Sequence, residues 1–572
     1  LEGYVLSTQD KVLSINTHER GGPSRAAYLL ALPPIIVLLV YKIIPFIVGL
    51  ILSFIDYDLT KGIARSSWVG MTNFRELFNS SFFSKIIVNT LILKLEYIFF
   101  CSAAAFLLAI ILGFVRSKFW QRFFSTIFLL PYFIPTVVFG YLILYTMNNA
   151  GAFFVFSTES LTNPETFRLV YPILESIKNI GIPLIIALGA VNAKRELDDG
   201  GGNFLHIQLI PTLKAIGLFA LIQLSASLTS DYELLTYFQN PIVLETAETL
   251  DTYAFKTGLL DSGFSIASAA WLIKYIIQLV ISILIFMLIK KCFAKDIFPK
   301  KNKKGESPKR RGSLVAVVAG LFIVEIYLLI TTAPLALSVV EAFKDSSEVA
   351  SDFMIEAAFY SNFTTYIFAI VFAVVINAIL TILLAYPLTV KGISGSRIYT
   401  VFLILVLNMG MGEIHEYLFF RKLGMVNTIL PYLITGFFTL ANVFVLKSIY
   451  NATYTSIEER TVKGIEGDIG SFFKRYLPKT IKPVLGLAAL QFAFMWNSSY
   501  PGQLVYIADS NKFSPVMYFS NIIRGAQPDI YGLLTHDIMK LAAIISIPSL
   551  IILLLIMIFG KNEIFIGQIR KS

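Results

Sequence analysis

Long apolar runs separated by short polar stretches recur along the whole chain. Twelve segments of this kind can be read. Six lie near 27–54, 85–114, 123–147, 168–191, 212–229 and 267–290, and six near 314–340, 362–390, 398–420, 428–449, 481–500 and 541–560. About 20 apolar residues carry a helix across ~30 Å of hydrocarbon, so each segment predicts a spanning helix. The expected fold is an all-α polytopic membrane protein of about twelve transmembrane helices in two six-helix halves. Pro45, Pro131, Pro183, Pro334 and Pro387 fall inside these segments, which membrane helices tolerate when neighbours satisfy the freed backbone groups.

Composition agrees. Of 572 residues, 56% are hydrophobic and only 15% charged, and the mean hydropathy is +0.72. A soluble domain rarely reaches such values. The net charge of +10 could suggest nucleic acid, but its excess sits in one linker and in short loops, where membrane topology explains it better. That linker, within 291–313, carries the run KKNKKGESPKRR. Lys and Arg beside spans stay in the cytoplasm, so the linker fixes the orientation of both halves.

The expected layout is a cytoplasmic segment 1–26, a first half 27–290, the linker 291–313, a second half 314–560 and a cytoplasmic tail 561–572. The acidic stretches 229–266 and 341–361 are then external, and both termini are cytoplasmic. Each half starts and ends on the same side, as in a parallel repeat. Residues 1–25 are polar and read as no cleavable signal peptide. Cys101 and Cys292 are too few and too badly placed for a disulfide framework.

Each half has a long, Gly-rich polar connection between its fourth and fifth segments. In the second half it runs from Ser448 to Pro483, with Glu458 and Glu459 near its start and Gly464, Gly467 and Gly470 further on. Acidic residues favour a helix N-terminus, and glycines permit a tight turn or close approach of another backbone. The stretch predicts a short helix ending in a turn before Pro478. Its first-half counterpart, Ala193 to Lys214, contains Asp199, Gly200 and Gly202. A solvated loop is the plain reading; recurrence at the same place in both halves argues for docking.

Short matches in order along nearly the whole chain carry a resemblance. In the first half they are Asp56-Tyr57, Lys61-Gly62-Ile63, Trp68-Val69-Gly70, Asn73-Phe74, Asn89-Thr90-Leu91, Leu130-Pro131 and Asp251-Thr252-Tyr253 before Gly258-Leu259. In the second half they are Leu423-Gly424, Asn427-Thr428, Asn442, Leu477-Pro478, Lys482-Pro483, Trp496-Asn497 and Pro515. The chain resembles importer-type ABC transporter permeases of the carbohydrate-uptake family related to maltose permeases, an LplB-like half fused to an LplC-like half.

The resemblance implies the type I importer architecture in a bacterial plasma membrane. It also implies import of oligosaccharides or polysaccharide fragments, two copies of a cytoplasmic ABC ATPase, and an external solute-binding protein, lipid-anchored where the cell lacks an outer membrane. The family's coupling signature, Glu-Ala-Ala then three residues then Gly, is eroded. Arg460 and Thr461 follow Glu459, Ile465 holds the Gly position with Gly464 one place early, and Asp199-Gly200 is the nearest first-half match. The chain has no Gly-rich loop with the Lys and hydroxyl that cradle a nucleotide. No cofactor is expected here; ATP and Mg would sit on the partner ATPase. The chain is read as a transport subunit, not an enzyme.

Polar groups inside spans usually face the bundle interior. Asn408, Glu413, His415 and Glu416 cluster in the ninth segment, and Trp496, Asn497 and Tyr500 near the end of the eleventh. Carboxylates, imidazole and amides suit sugar hydroxyls, and an aromatic ring can stack on a pyranose. The competing readings are external water for the first cluster and an interfacial aromatic anchor for the second. Two acids in a path would mildly disfavour a polyanionic sugar. Glu175 and Lys178, one turn apart, read as a mutual pair. Glu96 and Glu325 are unassigned, and four scattered histidines suggest no metal site. The alternatives are a major-facilitator-type sugar transporter, whose loop between spans two and three would be Gly/Asp/Arg-rich where this chain has GFVRSKFWQR, or a permease-derived receptor or scaffold.

Overall fold

The structure, a computed structural model, describes residues 25–149, 156–195, 202–229, 231–292, 313–331, 336, 357–390, 392–409, 414–458, 468–497, 507–525 and 535–565. Among these, eight helices are long and apolar enough to cross a membrane. They are Ala26–Leu52, Ser81–Gly113, Leu205–Ser225, Phe264–Ile289, Leu314–Thr331, Ser361–Thr389, Leu430–Tyr450 and Ile538–Ile558. Two bent pairs raise the number to ten: Lys118–Phe133 with Thr136–Asn148, bent by 101°, and Pro164–Asn179 with Gly181–Arg195, bent by 52°. The ninth and eleventh segments also have helical counterparts that fall short of a full apolar span. The ninth is met by Ser396–Leu407 and Ile414–Lys422, with residues 410–413 outside the described residues. The eleventh is met by Leu477–Asn497.

Each bend has a local cause. Pro131 and Pro135 lack N–H groups and crowd the preceding turn. The chain tightens into a 3₁₀ turn over Leu130–Phe133 and then extends at Ile134 (φ −89°, ψ 133°), as the residue before a proline prefers. In the second pair, Gly181 lies so close to the first that an added Cβ would sit 2.5 Å from the Phe128 carbonyl oxygen. The two breaks therefore meet.

Proline shapes other helices too. π turns over Leu39–Ile43, Leu205–Leu209 and Phe472–Tyr476 each end two residues before a proline: Pro45, Pro211 and Pro478. The wider turn moves the carbonyl four residues back out of the ring's way. Pro211 and Pro478 occupy corresponding places in the two halves.

This corrects one expectation. No turn precedes Pro478: the helix Leu440–Glu458 runs into the loop from one side and helical structure resumes at Ile469, while residues 459–467, where a short helix is expected, lie outside the described residues. Pro478 lies within the returning helix.

The chain divides into two compact units that do not follow the sequence halves. One comprises Leu1–Ile43, Val375–Leu407 and Phe437–Ala488; the other Ile44–Val374, Asn408–Gly436 and Ala489–Ser572. In the smaller unit, Ala27, Tyr386, Val390, Ile393, Tyr450, Phe472 and Tyr476 form a buried cluster. In the larger, Ala105, Leu112, Phe124, Phe128, Leu184, Ala187, Ala215 and Tyr327 belong to another. Small residues here let helices approach closely.

Candidate functional site: the meeting of two broken spans

A helix end leaves carbonyls without intrahelical donors, and in hydrocarbon each must find another. At the two breaks the donors come from the second half of the chain. The Tyr327 hydroxyl lies 2.7 Å from the Ile177 carbonyl and 3.2 Å from that of Phe128. These carbonyls belong to the last turns of Pro164–Asn179 and Lys118–Leu129. The Asn497 side-chain amide donates to the Tyr132 carbonyl at 3.2 Å and accepts from Ser549 Oγ at 2.7 Å. Tyr327→Phe is expected to lower stability by about 1–3 kcal/mol, the usual cost of leaving buried acceptors unmet. Thermal unfolding in detergent measures it, and a melting point equal to the parent's would show the carbonyls to be satisfied otherwise.

A charge sits at the same junction. The Lys178 ammonium binds Thr136 Oγ1, at the start of the helix after the first break, and Asp231 at 3.2 Å. Asp231 also caps the helix Tyr232–Phe238 by accepting from the Leu234 amide at 3.2 Å. Lys178 thus pairs with a distant aspartate, correcting the expected Glu175 partner. Glu175 is itself buried.

Of the described polar groups of the ninth and eleventh segments, Asn408 is half-buried and the others are buried. Asn408 accepts from Ser282 Oγ at 2.9 Å. His415 and Glu416 are buried. The His415 ring is 4.2 Å from that of Trp271, and a Cβ on Gly49 would lie 2.8 Å from its Cγ. Trp496 is buried between Phe363 and Phe492, and its indole N–H donates to the Ile545 carbonyl at 2.8 Å. In this conformation neither His415, Glu416 nor Trp496 meets water, so the external-water and interfacial-anchor readings do not describe them. Glu413 and Tyr500 lie outside the described residues.

The flanks of the polar connections are latched. In the first half, Arg195 reaches the Gly113 carbonyl and Gln208 Oε1, while Gln208 Nε2 donates to the Ile110 carbonyl. Asn203, next to Gly202, accepts from the His206 amide at 3.1 Å. In the second half, the Asp468 carboxylate caps Ser471 N at 3.2 Å, and its carbonyl accepts from the Tyr386 hydroxyl at 2.8 Å. Hydrogen bonding from Ser471 holds the Asp468 carboxyl below its ordinary pKa. Asp468→Ala is expected to cost about 1 kcal/mol, as lost N-caps do. Faster amide exchange over 469–476 would register it; unchanged exchange would show the cap to be idle. Glu458 ends its helix, whereas Asp199, Gly200, Glu459, Gly464 and Gly467 lie outside the described residues.

The two halves repeat one device. Asn89 donates its amide to the carbonyls of Glu245 and Glu248, at 2.8 and 3.4 Å. Asn362 donates to those of Asn511 and Phe513, at 2.6 and 3.1 Å. In each half, an asparagine on the second span holds the backbone that leads towards the last one.

No family model matches the chain. Curated relatives do. It is 28% identical over 288 residues to the polygalacturonan/rhamnogalacturonan transport system permease protein YteP of Bacillus subtilis (strain 168), covering 47% of this chain and 89% of YteP. Protein LplB of the same organism is 25% identical over 271 residues, covering 44% of this chain and 85% of LplB. Protein LplC, also from that organism, is 30% identical over 152 residues, 26% of this chain and 50% of LplC. A chain from a bacterial ABC transporter involved in the import of the acidic polysaccharide alginate superposes with a TM-score of 0.40 at 26% identity, over 46% of this chain and 95% of that one.

Helices, breaks and relatives together define the class: this is a multi-pass α-helical membrane permease. It is homologous to YteP, LplB and LplC, in keeping with the resemblance of its sequence to importer-type ABC transporter permeases.

Proposed function

We propose that the chain is the path-forming subunit of an ATP-driven importer for oligosaccharides, with both permease walls in one polypeptide. The observation that carries this is the proportion of the matches. YteP and LplB are each covered over most of their own length, yet occupy less than half of this chain. The recurring asparagine latches and the paired π turns before Pro211 and Pro478 support two like halves.

In this reading both termini face the cytoplasm. Two copies of a cytoplasmic ATPase, carrying ATP and Mg, engage the connections 193–214 and 448–483 through Asp199, Gly200, Gly202, Glu458, Glu459, Gly464 and Gly467. An external solute-binding protein delivers the sugar. The chain itself performs no hydrolysis. Asn408, Glu413, His415, Glu416, Trp496, Asn497 and Tyr500 form the polar wall that the path uncovers when it opens.

Because YteP is named for polygalacturonan/rhamnogalacturonan transport, fragments of those polysaccharides are the substrates to try first.

Proteoliposomes holding the chain, its ATPase and its binding protein test the reading. Uptake of labelled oligogalacturonides or neutral oligosaccharides should require ATP and all three components. Uptake driven by a proton gradient, with no ATPase present, would make the chain a secondary transporter instead.

A further inference from the structure

Between the first two spans the chain makes a small rigid platform. Strands Ile55–Asp56 and Ser67–Trp68 pair antiparallel, Ile55 opposite Trp68, and the helix Thr72–Asn79 follows. That helix buries Asn73, Phe74 and Leu77 and turns Arg75 and Phe78 outward, three residues apart on one face, with Met71 exposed just before it. Phe82 extends the exposed row into the next helix. Trp68 is 70% exposed, Phe78 59%, Met71 53% and Phe82 38%.

This exposure does not come from looseness. The Asn73 amide donates to the Ser53 and Ile55 carbonyls, both at 3.1 Å. The Val69 and Gly70 amides reach the Phe54 carbonyl at 2.9 and 3.0 Å. The Trp68 ring stacks on Phe54 at 5.6 Å, with 10° between planes. Gly70 supplies the positive φ of +59° that closes the turn.

We propose that this platform lies in the headgroup layer of the bilayer, with Trp68, Met71, Phe78 and Phe82 set against the boundary of the acyl chains. Continuity with the lipid-facing surface carries the proposal. The platform starts just after the span ending at Leu52, whose Leu50 and Ile51 are exposed, and stops where Ser81 begins the next, whose Val88 and Leu95 are exposed. A contiguous apolar patch of this kind marks a binding surface, and this one joins a surface that already meets hydrocarbon. Tryptophan favours the membrane–water boundary, and a short amphipathic helix lies in its plane. Exposed Lys61, Arg65 and Arg75 can run their stems along the apolar row and place their charges at lipid phosphates. The proposal rests on the multi-pass fold alone, so failure of the transport reading would leave it standing.

The chain has four tryptophans, so the contribution of Trp68 is read as the difference between the parent and Trp68→Phe in phosphatidylcholine vesicles. The Trp68 component is expected to be quenched more by lipids brominated near the headgroup than by lipids brominated deep in the chain, and to be spared by aqueous iodide. Trp68→Phe should abolish that component, and Phe78→Trp placed in the same background should restore it. A Trp68 component quenched by iodide and insensitive to shallow bromines would overturn the proposal and show that the face meets water or a protein partner. The same pattern from Phe78→Trp would overturn it independently.

Discussion

Lys178→Met is expected to destabilise the protein by about 3 kcal/mol, because it strands Asp231 in a mostly buried site. The Lys178 side chain is 7% exposed and that of Asp231 22%. Removing one partner of a buried pair usually costs more than the pair contributes, since the remaining charge loses its compensation. The pair also holds three helix ends together: the end of Pro164–Asn179, the start of the helix at Thr136, and the start of Tyr232–Phe238. The single variant should therefore melt well below the parent in detergent. Lys178→Met combined with Asp231→Asn should recover much of the loss, as coupled neighbours do. A double variant no more stable than the single one would mean that Lys178 acts through packing rather than charge.

Gly181→Val should be more damaging still, with little folded protein recovered. A Cβ at this position would meet the Phe128 carbonyl oxygen at 2.5 Å, Leu129 Cα at 2.6 Å and Leu129 N at 2.7 Å. All three are backbone atoms, so no side chain can swing away, and the two broken spans would have to separate. Overpacking of a well-filled core costs about 1–3 kcal/mol, sometimes more, and an unyielding contact belongs at the upper end. Gly436→Ala is the control. Its Cβ would fall closer, 2.2 Å from Met495 Cε, but that is the tip of a flexible side chain. If the two variants prove equally stable, the backbone contact at Gly181 is softer than its distances imply.

How much of this was legible in the sequence differs between elements. Long apolar runs located the helices because crossing hydrocarbon imposes a minimum length, and all twelve segments have helical counterparts. What periodicity could not give was continuity. Pro131 and Pro183 were visible inside segments, but a proline kinks one helix and breaks another according to what packs against it. The 101° bend depends on Pro135 following Pro131 so closely, and the 52° bend on Gly181 having a neighbour to touch. Lys178 shows the same limit. Its near neighbour Glu175 was the reasonable partner by helical spacing, whereas the fold supplied Asp231, 53 residues on. Trp496 and Asn497 stood out as chemistry, but their long-range acceptors, Ile545 and Tyr132, were beyond local reading. One signal for the breaks was present: prolines in segments that also hold buried polar groups, such as Thr136 and Lys178.

The capping of first-half carbonyls by Tyr327 and Asn497 bears on why the halves travel as one chain. Severed within 293–312, the leading fragment would enter the bilayer with the oxygens of Phe128, Tyr132 and Ile177 deprived of these donors, a condition membranes penalise. It would await its own trailing fragment rather than persist as a free subunit or accept a substitute. Covalent continuity turns that obligatory partnership into a fixed one-to-one ratio at the moment of synthesis.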